Sequence, residues 1–458
     1  MTSLLHETLK TIARLLGRPE RALAGAFGLL ILTGWILLAL PISHTSDRVG
    51  VIDALFTATS AVCVTGLVVV DTGKDFTPFG QVVILALIQF GGLGIMTFAA
   101  LAAQLMGGRL SFRSQAALYD TLYQQNAAAA MRDSLKRIVA MTFIIELVGV
   151  LLLYTGFRQH SAGHSPLFSA VFHSVSAFCN AGFSLYSDSL TAYRSQLLTM
   201  FAIMALIILG GLGHAVVLEA LGRAVRRLQG RRSRPITWSL HSRVVIGVSG
   251  ILIAGGAAAF LLLGLADDDS GPQRIVNALF QSVTARTAGF NTVNIANVPL
   301  ASLLMLVGLM FVGGSPGSCA GGIKTTSLAA WFAYFRSKLV TAEDVALFGR
   351  RLPEDIIVRA AVIGGLAILW NVIGCIILAI TESAGGGALL KNLLFEQVSA
   401  FGTVGLSTGI TPDLSSAGEL WIIATMFVGR LGPLTAVFMV MPQQAARVRY
   451  PEERLMIG

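Results

Sequence analysis

Long and short apolar segments alternate along the chain in a fixed order. The first long segment, 22–40, has about the 20 residues that a helix needs to cross a bilayer. The next apolar run, 51–61, is too short to cross, and a second long segment, 80–105, follows it. A short helix of this kind must return through the membrane as irregular chain, which is tolerated only where protein or a wet cavity surrounds it.

The same order of outer helix, short helix and inner helix is predicted four times. The later units comprise segments 138–157, 166–178 and 197–221, then 244–265, 272–285 and 300–335, then 360–380, 390–400 and 420–441. Eight crossings and four re-entrant loops are therefore expected, with both termini on one side. The predicted fold class is an all-α membrane protein.

A sequence motif ends each short helix. It reads SAVCVTG, SAFCNAG, VTARTAG and SAFGTVG, and its last residues are Gly66, Gly182, Gly289 and Gly405, which lie 116, 107 and 116 residues apart. A second glycine cluster follows each motif, at 91–94, 210–213, 313–317 and 429–432. Two motifs that recur in register indicate a fourfold internal repeat. For the clusters at 91–94 and 210–213, helix packing or hinging is the ordinary interpretation of the glycines.

The repeat divides the chain into six regions. We expect an interfacial N-terminus at 1–21, repeat 1 at 22–106, repeat 2 at 138–221, repeat 3 at 243–336 with an intramembrane loop at 313–322, repeat 4 at 356–441, and a tail at 442–458.

Composition agrees with a membrane protein. Charged residues make up 12% of the chain, against about 25% in soluble proteins, and the mean hydropathy is +0.74. The net charge of +9 comes from Lys and Arg concentrated in the N-terminus, the connections between repeats and the tail. This distribution follows the positive-inside rule, which predicts that both termini are cytoplasmic and argues against nucleic-acid binding. The four cysteines lie in apolar segments, where a structural disulfide is not expected.

Four irregular segments in one chain can satisfy one another by meeting on a pseudo-fourfold axis. Their carbonyl oxygens would then replace the hydration shell of a cation, and glycine allows the required backbone angles. The C-terminal ends of the short helices add negative potential, as would the carboxylates of 267–269 and Glu396. The predicted filter residues are Val64, Thr65, Gly66, Asn180, Ala181, Gly182, Thr287, Ala288, Gly289, Thr403, Val404 and Gly405.

With these motifs the chain resembles the Trk/Ktr/HKT superfamily of potassium transporters over roughly residues 22–458. Without extra helices before the first repeat, it looks closer to the KtrB branch than to the TrkH branch. In this superfamily a serine at the first filter glycine accompanies sodium permeation, so four glycines imply potassium selectivity. The alternatives are an ion-coupled carrier that uses sodium or protons, and a sodium-permeable member. No catalytic motif is found, so an enzyme is not expected.

Charges interrupt two inner helices, and one of these helices is broken. Lys324 and Arg430 lie in apolar surroundings, where a charge costs at least about 2.5–3.5 kcal/mol. The glycine-rich segment near Lys324 cannot form a continuous helix. The predicted gate consists of Gly313, Gly314, Ser315, Pro316, Gly317, Gly321, Gly322, Lys324 and Arg430, and the resemblance also implies such a loop and basic residue. Snorkelling to the membrane surface is the alternative for Lys324.

Three more polar residues receive structural interpretations. Arg286 is expected to brace the filter from behind through a carboxylate partner, because a cation facing the axis would repel potassium. Glu146 is expected to be a hydrogen-bond or ion-pair partner, with a proton relay as the alternative. His214 is expected to pack in the core.

The resemblance also implies partners. These are a second copy of the chain and a cytoplasmic RCK-type nucleotide-binding ring, KtrA-like, with potassium as the transported ion, sodium as an activator and no covalent cofactor. Segments 223–234 and 449–458 are candidate contacts for the ring, although anionic lipid could instead bind the arginine-rich segment. The expected location is the inner or plasma membrane.

Overall fold

Fourteen α-helices make up nearly all of the regular structure in the described residues. The computed structural model describes residues 19–45, 49–105, 127–158, 164–229, 238–265, 271–341, 344–385, 389–433 and 435. The helices are α1 (Pro19–Leu38), α2 (Val51–Val62), α3 (Pro78–Leu105), α4 (Ala127–Phe157), α5 (Pro166–Phe178), α6 (Leu197–Leu212), α7 (His214–Leu228), α8 (Leu240–Leu263), α9 (Pro272–Thr284), α10 (Leu300–Phe311), α11 (Thr325–Leu339), α12 (Glu354–Thr381), α13 (Leu390–Gly402) and α14 (Ser416–Leu431). One small hairpin pairs β1 (Ala346–Leu347) with β2 (Arg350–Arg351).

The predicted order of outer, short and inner helix is confirmed in all four units. The outer helices are α1, α4, α8 and α12, the short helices are α2, α5, α9 and α13, and the inner helices begin with α3, α6, α10 and α14. Each inner helix packs against the short helix of the next unit, and α14 of the fourth unit packs against α2 of the first. The four units therefore close into a ring, with the short helices inside.

The short helices are polar or capped where they begin and buried where they end. Asp53 accepts a hydrogen bond from the Gly50 amide at 2.8 Å at the start of α2, and α5 and α9 begin at a proline. Proline suits this position because the first helical amides lack partners inside the helix. The last turns of all four short helices are buried.

The outer helices present apolar side chains on the outside of the molecule. Helices long and apolar enough to cross a membrane are found, among the described residues, at Leu135–Phe157, Leu240–Leu263 and Glu354–Thr381. Only 33%, 28% and 28% of their most apolar stretches are buried, and side chains such as Leu151 and Ile251 are exposed. Some other apolar helices, such as Leu300–Phe311, are shorter than a full span.

Two inner helices are broken. The predicted break in the third is confirmed, since α10 ends at Phe311 and α11 begins at Thr325. We call residues 312–324 the third-unit loop. The prediction of one continuous helix over 197–221 is wrong, because the chain bends by 110° between α6 and α7. Gly213, at the bend, has a φ of +86°, which ends the helical hydrogen bonding.

Candidate functional site

The four motif segments, 64–66, 180–182, 287–289 and 403–405, share one backbone geometry. In each, the first residue and the final glycine have a positive φ, whereas the middle residue does not. The angles are 56° and 90° for Val64 and Gly66, 59° and 68° for Asn180 and Gly182, 79° and 79° for Thr287 and Gly289, and 48° and 91° for Thr403 and Gly405. Alternating left-handed and ordinary angles turn successive carbonyls toward one side, which is the geometry that a carbonyl-lined ion path requires.

The four glycines touch one another in a closed cycle. A Cβ atom on Gly66 would lie 3.1 Å from the Cα of Gly182, one on Gly182 would lie 3.0 Å from Gly289, and one on Gly289 would lie 3.1 Å from Gly405. The cycle returns to its start, since a Cβ atom on Gly405 would lie 3.0 Å from Gly66. Each such atom would also collide with a carbonyl oxygen of the neighbouring segment, namely that of Ala181, Ala288, Val404 or Thr65. No side chain fits at these positions.

A hydroxyl group behind each motif segment holds its backbone in place. Ser60 donates to the Leu67 carbonyl at 2.7 Å, Ser176 to the Phe183 carbonyl at 2.8 Å, and Thr284 to the Phe290 carbonyl at 2.6 Å. In the fourth unit, Ser399 accepts from the Gly405 amide at 3.2 Å. Sequence reasoning missed these four residues, although a serine or threonine is the first or second residue of every copy of the motif. These bonds fix the carbonyl that follows the motif glycine in three units and the Gly405 amide in the fourth.

Side chains also connect neighbouring motif segments. The Asn180 amide is hydrogen-bonded to the Thr287 hydroxyl at 3.2 Å. The hydroxyl oxygens of Thr65 and Thr403 are buried and have no hydrogen-bond partner among the described residues.

A cavity of about 330 Å³ opens on one side of the four glycines. It is lined by all four of them, by the segments that follow them and by Asp71. The Asp71 carboxylate accepts from the Gly73 amide at 2.9 Å and the Lys74 amide at 3.1 Å, and its side chain is 24% exposed. The cavity thus places a partly exposed carboxylate near the ring.

Glu396 is predicted to add negative potential near the path of the ion. The residue is fully buried in α13. Its carboxylate accepts from the Thr408 amide at 3.1 Å, from the Thr411 hydroxyl at 3.0 Å and from the Ser407 hydroxyl. These bonds make Glu396 a brace for the chain that follows the fourth motif segment. The carboxylates predicted at 267–269 lie outside the described residues.

The third-unit loop packs against the fourth motif segment, and none of its residues line the cavity. Its Gly321 packs so closely on the Thr403 side chain that a Cβ atom there would collide with it. Cys319 donates its thiol hydrogen to the Gly92 carbonyl at 3.6 Å, which links the loop to the first inner helix. The predicted gate residues Gly313, Gly314, Ser315, Pro316, Gly317, Gly321 and Gly322 all belong to this loop. The loop therefore occupies the space directly next to the motif ring.

Arg430 joins three of the four units beside the loop. Its side chain is 3% exposed and extends from α14 to the Gly91 carbonyl, at 2.7 Å, and to the Cys319 carbonyl. Lys324 donates to the Ala320 carbonyl at 2.6 Å, inside the loop itself. This contact favours the predicted place of Lys324 in the loop over the alternative of snorkelling to the surface. Two cations thus hold backbone carbonyls of the loop.

Arg286 and Glu146 have polar partners of different kinds. The prediction of a carboxylate partner for Arg286 is wrong, since its guanidinium donates to the Gly313 carbonyl at 3.3 Å and forms no ion pair among the described residues. It therefore braces the start of the third-unit loop. Glu146 accepts from the Gln89 amide at 3.3 Å, which confirms its role as a hydrogen-bond partner.

The second glycine cluster packs the inner helices onto the short helices. A Cβ atom on Gly91, Gly210 or Gly429 would collide with the carbonyl of Val62, Phe178 or Phe401, respectively. These carbonyls are at the C-terminal ends of the short helices of the same units. The packing interpretation is therefore confirmed, and it sets the depth at which each motif segment lies.

Comparisons with known proteins identify the family. The sequence model of the family described as "TrkH: Cation transport protein" matches residues 31–448. The chain is 37% identical to "Ktr system potassium uptake protein B" of Bacillus subtilis over 96% of this chain and 97% of that protein. It is 35% identical to "Potassium/sodium uptake protein NtpJ" of Enterococcus hirae, with the same coverage.

A solved structure has the same fold. The structure of "the Potassium Transporter TrkH from Vibrio parahaemolyticus" superposes with a TM-score of 0.69 over 92% of this chain and 84% of the other, at 20% sequence identity. The fourfold helical architecture is therefore that of a solved membrane transporter. From the family match over most of its length, together with its full-length relatives, we conclude that this chain belongs to the TrkH family of cation transport proteins.

Proposed function

We propose that this chain is the membrane subunit of a potassium uptake system and that potassium passes along the axis of the four motif segments. The observation that carries the proposal is the closed cycle of Gly66, Gly182, Gly289 and Gly405. A ring of backbone with no room for side chains leaves carbonyl oxygens as the groups available to a permeating ion. Oxygen ligands of this kind select for cations by replacing the hydration shell.

The relatives support potassium as the ion. Relatives in Bacillus subtilis and Vibrio alginolyticus carry the name "Ktr system potassium uptake protein B". The relative in Enterococcus hirae is named for both potassium and sodium, so sodium permeation is the second outcome that an experiment must distinguish. The four glycines of this chain favour potassium.

We further propose that the third-unit loop and Arg430 close the path in this conformation. Gly321 of the loop lies against Thr403 of a motif segment, and Arg430 extends to carbonyls of the first unit and of the loop. A potassium ion leaving the ring on this side would meet a fixed guanidinium group. Its positive charge, in a medium of low dielectric constant, would repel the ion.

The membrane arrangement and the assembly belong to the same proposal. Eight crossings, cytoplasmic termini and an inner or plasma membrane location are supported by the positive charge of the connections. A homodimer with a cytoplasmic nucleotide-binding ring is supported by the "Ktr system" names of the relatives.

The experiment that tests this function is rubidium uptake into proteoliposomes with potassium or sodium as competitor. The wild type should be inhibited by potassium and not by an equal concentration of sodium. Gly66→Ser should lose this discrimination, because its side chain meets the Ala181 carbonyl in the ring. Gly250→Ser is the matched control, since a Cβ atom at Gly250 meets nothing within 4 Å.

Two results would count against the proposal. If Gly66→Ser discriminated as well as the wild type, the glycines would only pack helices, and an ion-coupled carrier would become the better interpretation. If sodium competed equally with potassium in the wild type, the chain would be a sodium-permeable member of its family. Gel filtration of each variant shows whether it is folded before uptake is compared.

A further inference from the structure

The break in the second inner helix is occupied by the third-unit loop. Helix α6 ends at Leu212, so the carbonyls of its last turn have no helical partners. The Gly211 carbonyl accepts from the Ser315 amide at 3.0 Å, and the Gly210 carbonyl accepts from the Cys319 amide at 3.4 Å. Amides of the third unit thus cap a helix of the second, so the loop is bonded to a specific site.

His214, the first residue after the break, holds the tip of the loop. Its backbone amide donates to the Gly317 carbonyl at 3.2 Å, and its Nδ1 atom lies 2.9 Å from the same oxygen. Because a carbonyl only accepts, Nδ1 carries the hydrogen in this contact. Besides the packing that the sequence predicts, His214 therefore makes two hydrogen bonds to the loop.

Two glycines allow this close approach. A Cβ atom on Gly213 would lie 2.7 Å from the Pro316 carbonyl oxygen, and one on Gly317 would lie 2.9 Å from the His214 ring. Both glycines have a positive φ, 86° and 72°, which other residues rarely adopt. The bend and the loop tip therefore have complementary backbone shapes.

Helix α7 connects this contact to the next outer helix. Its Glu219 accepts from the Ser239 amide at 3.1 Å and the Ser239 hydroxyl at 2.8 Å, at the start of α8. Arg223 bonds to Glu219 at 2.9 Å and lies 4.1 Å over the ring of Trp238. One end of α7 thus holds the loop, and its middle is bonded to α8. Its last turn carries Arg226 and Arg227, which are exposed.

We propose that the break at Gly213 is the docking site of the third-unit loop and that His214 is the latch that keeps the loop beside the motif ring. A movement of helix α7 at the membrane surface then releases the loop. The docking rests on the contacts above, and its effect on transport rests on the proposed function. His214 acts through the position of Gly317, so it is a positioning residue.

The first test measures docking without transport. Cys319 of the loop is buried, and Cys63→Ala, Cys179→Ala and Cys375→Ala together leave it as the single cysteine. In this background His214→Ala should speed modification of Cys319 by N-ethylmaleimide about 2- to 10-fold, the factor expected for one lost hydrogen bond. His214→Asn, whose amide can still donate, should restore a rate near that of the wild type.

A glycine pair provides the matched control. Gly317→Ala should raise the Cys319 rate at least as much, because its methyl group separates the loop from His214. Gly264→Ala introduces a side chain at a similar φ of +81° where a Cβ atom meets nothing within 4 Å, and it should leave the rate unchanged. Equal Cys319 rates in the wild type, His214→Ala and Gly317→Ala would overturn the latch.

The second test is rubidium uptake by His214→Ala in proteoliposomes without other proteins. Uptake should rise by a similar factor, while the preference for potassium over sodium stays that of the wild type. Faster Cys319 modification with unchanged uptake would keep the docking site and overturn its effect on transport, because the loop would then not be the gate. If His214→Ala left the rate of Cys319 modification unchanged and the preference for potassium were normal, the latch would be overturned and the proposed function would stand.

Discussion

At the scale of single residues, two tasks fall to different residues of each motif. Glycines allow the backbone segments to pack closely, and hydroxyl groups hold the backbone in place. The motif glycines make room, since a Cβ atom at any of these positions would lie against the next motif segment. Hydroxyl groups five or six residues earlier in the chain supply the bonds that hold the backbone, as Thr284 does for the Phe290 carbonyl. Because the hydroxyl is behind the backbone, it can fix a carbonyl without entering the axis.

Thr284→Val tests this bracing. The substitution keeps the shape of the side chain but removes the donor to Phe290, and leaving a buried carbonyl unpaired costs about 1–3 kcal/mol. We expect a lower unfolding temperature in detergent and weaker discrimination between potassium and sodium in rubidium uptake.

Thr155→Val is the control, because Thr155 bonds only within its own turn of an exposed outer-helix face. A Thr284→Val protein with the stability and discrimination of the control would show that the hydroxyl is dispensable.

How far the sequence predicts this site depends on whether a residue belongs to a repeat. The motif glycines and the broken third inner helix can be found because they recur or interrupt a clear apolar pattern. The partner of Arg286 cannot, since it is a backbone carbonyl of a residue distant in sequence, and no side chain marks it. His214 is missed for the same reason, as its acceptor is the Gly317 carbonyl. Every residue has a backbone carbonyl, so the sequence does not mark which one accepts such a hydrogen bond.

At the scale of elements, the short helices and the third-unit loop are held in different ways. Each short helix packs between the outer helix of its own unit and the inner helix of the preceding unit, which makes the ring they carry rigid. The loop is irregular and is held by individual hydrogen bonds to α3, α6, α7 and α14 and from Arg286. An irregular element of this kind opens at a lower free energy than the packed helices around it.

Deleting Pro316 and Gly317 should therefore raise rubidium uptake. The shortened loop loses the Gly317 carbonyl that bonds to His214, and it spans less of the space beside the motif ring.

The matched control deletes Phe348 and Gly349, which form the exposed two-residue turn between β1 and β2. If both deletions left uptake at the wild-type level, the loop would not obstruct the path.

At the scale of the whole molecule, the chain is a ring closed by contacts between consecutive units. Each inner helix packs on the next short helix, so no unit has a free inner surface. Partners must therefore bind on the outside or at the ends of the ring. Of the candidate contacts, segment 223–234 begins in α7 and continues beyond the described residues, and segment 449–458 lies outside them.

Deleting 449–458 should weaken assembly while leaving the ring intact. The removed segment contains three acidic or basic side chains besides Arg449, and it follows the last inner helix. Sizing chromatography with light scattering would show a smaller particle than the wild type forms, alone or with a ring-forming partner. A truncated protein that kept both the wild-type mass and its partner would exclude the tail as a contact.

The cycle of four glycines has a further consequence, because all four positions are encoded separately in one gene. In a channel made of identical subunits, any substitution in the selectivity ring appears four times at once. Here Gly66, Gly182, Gly289 and Gly405 can each change alone, while the other three keep the ring. In the proposed filter, a single substitution would therefore change the backbone packing at one position and leave the other three glycines in place.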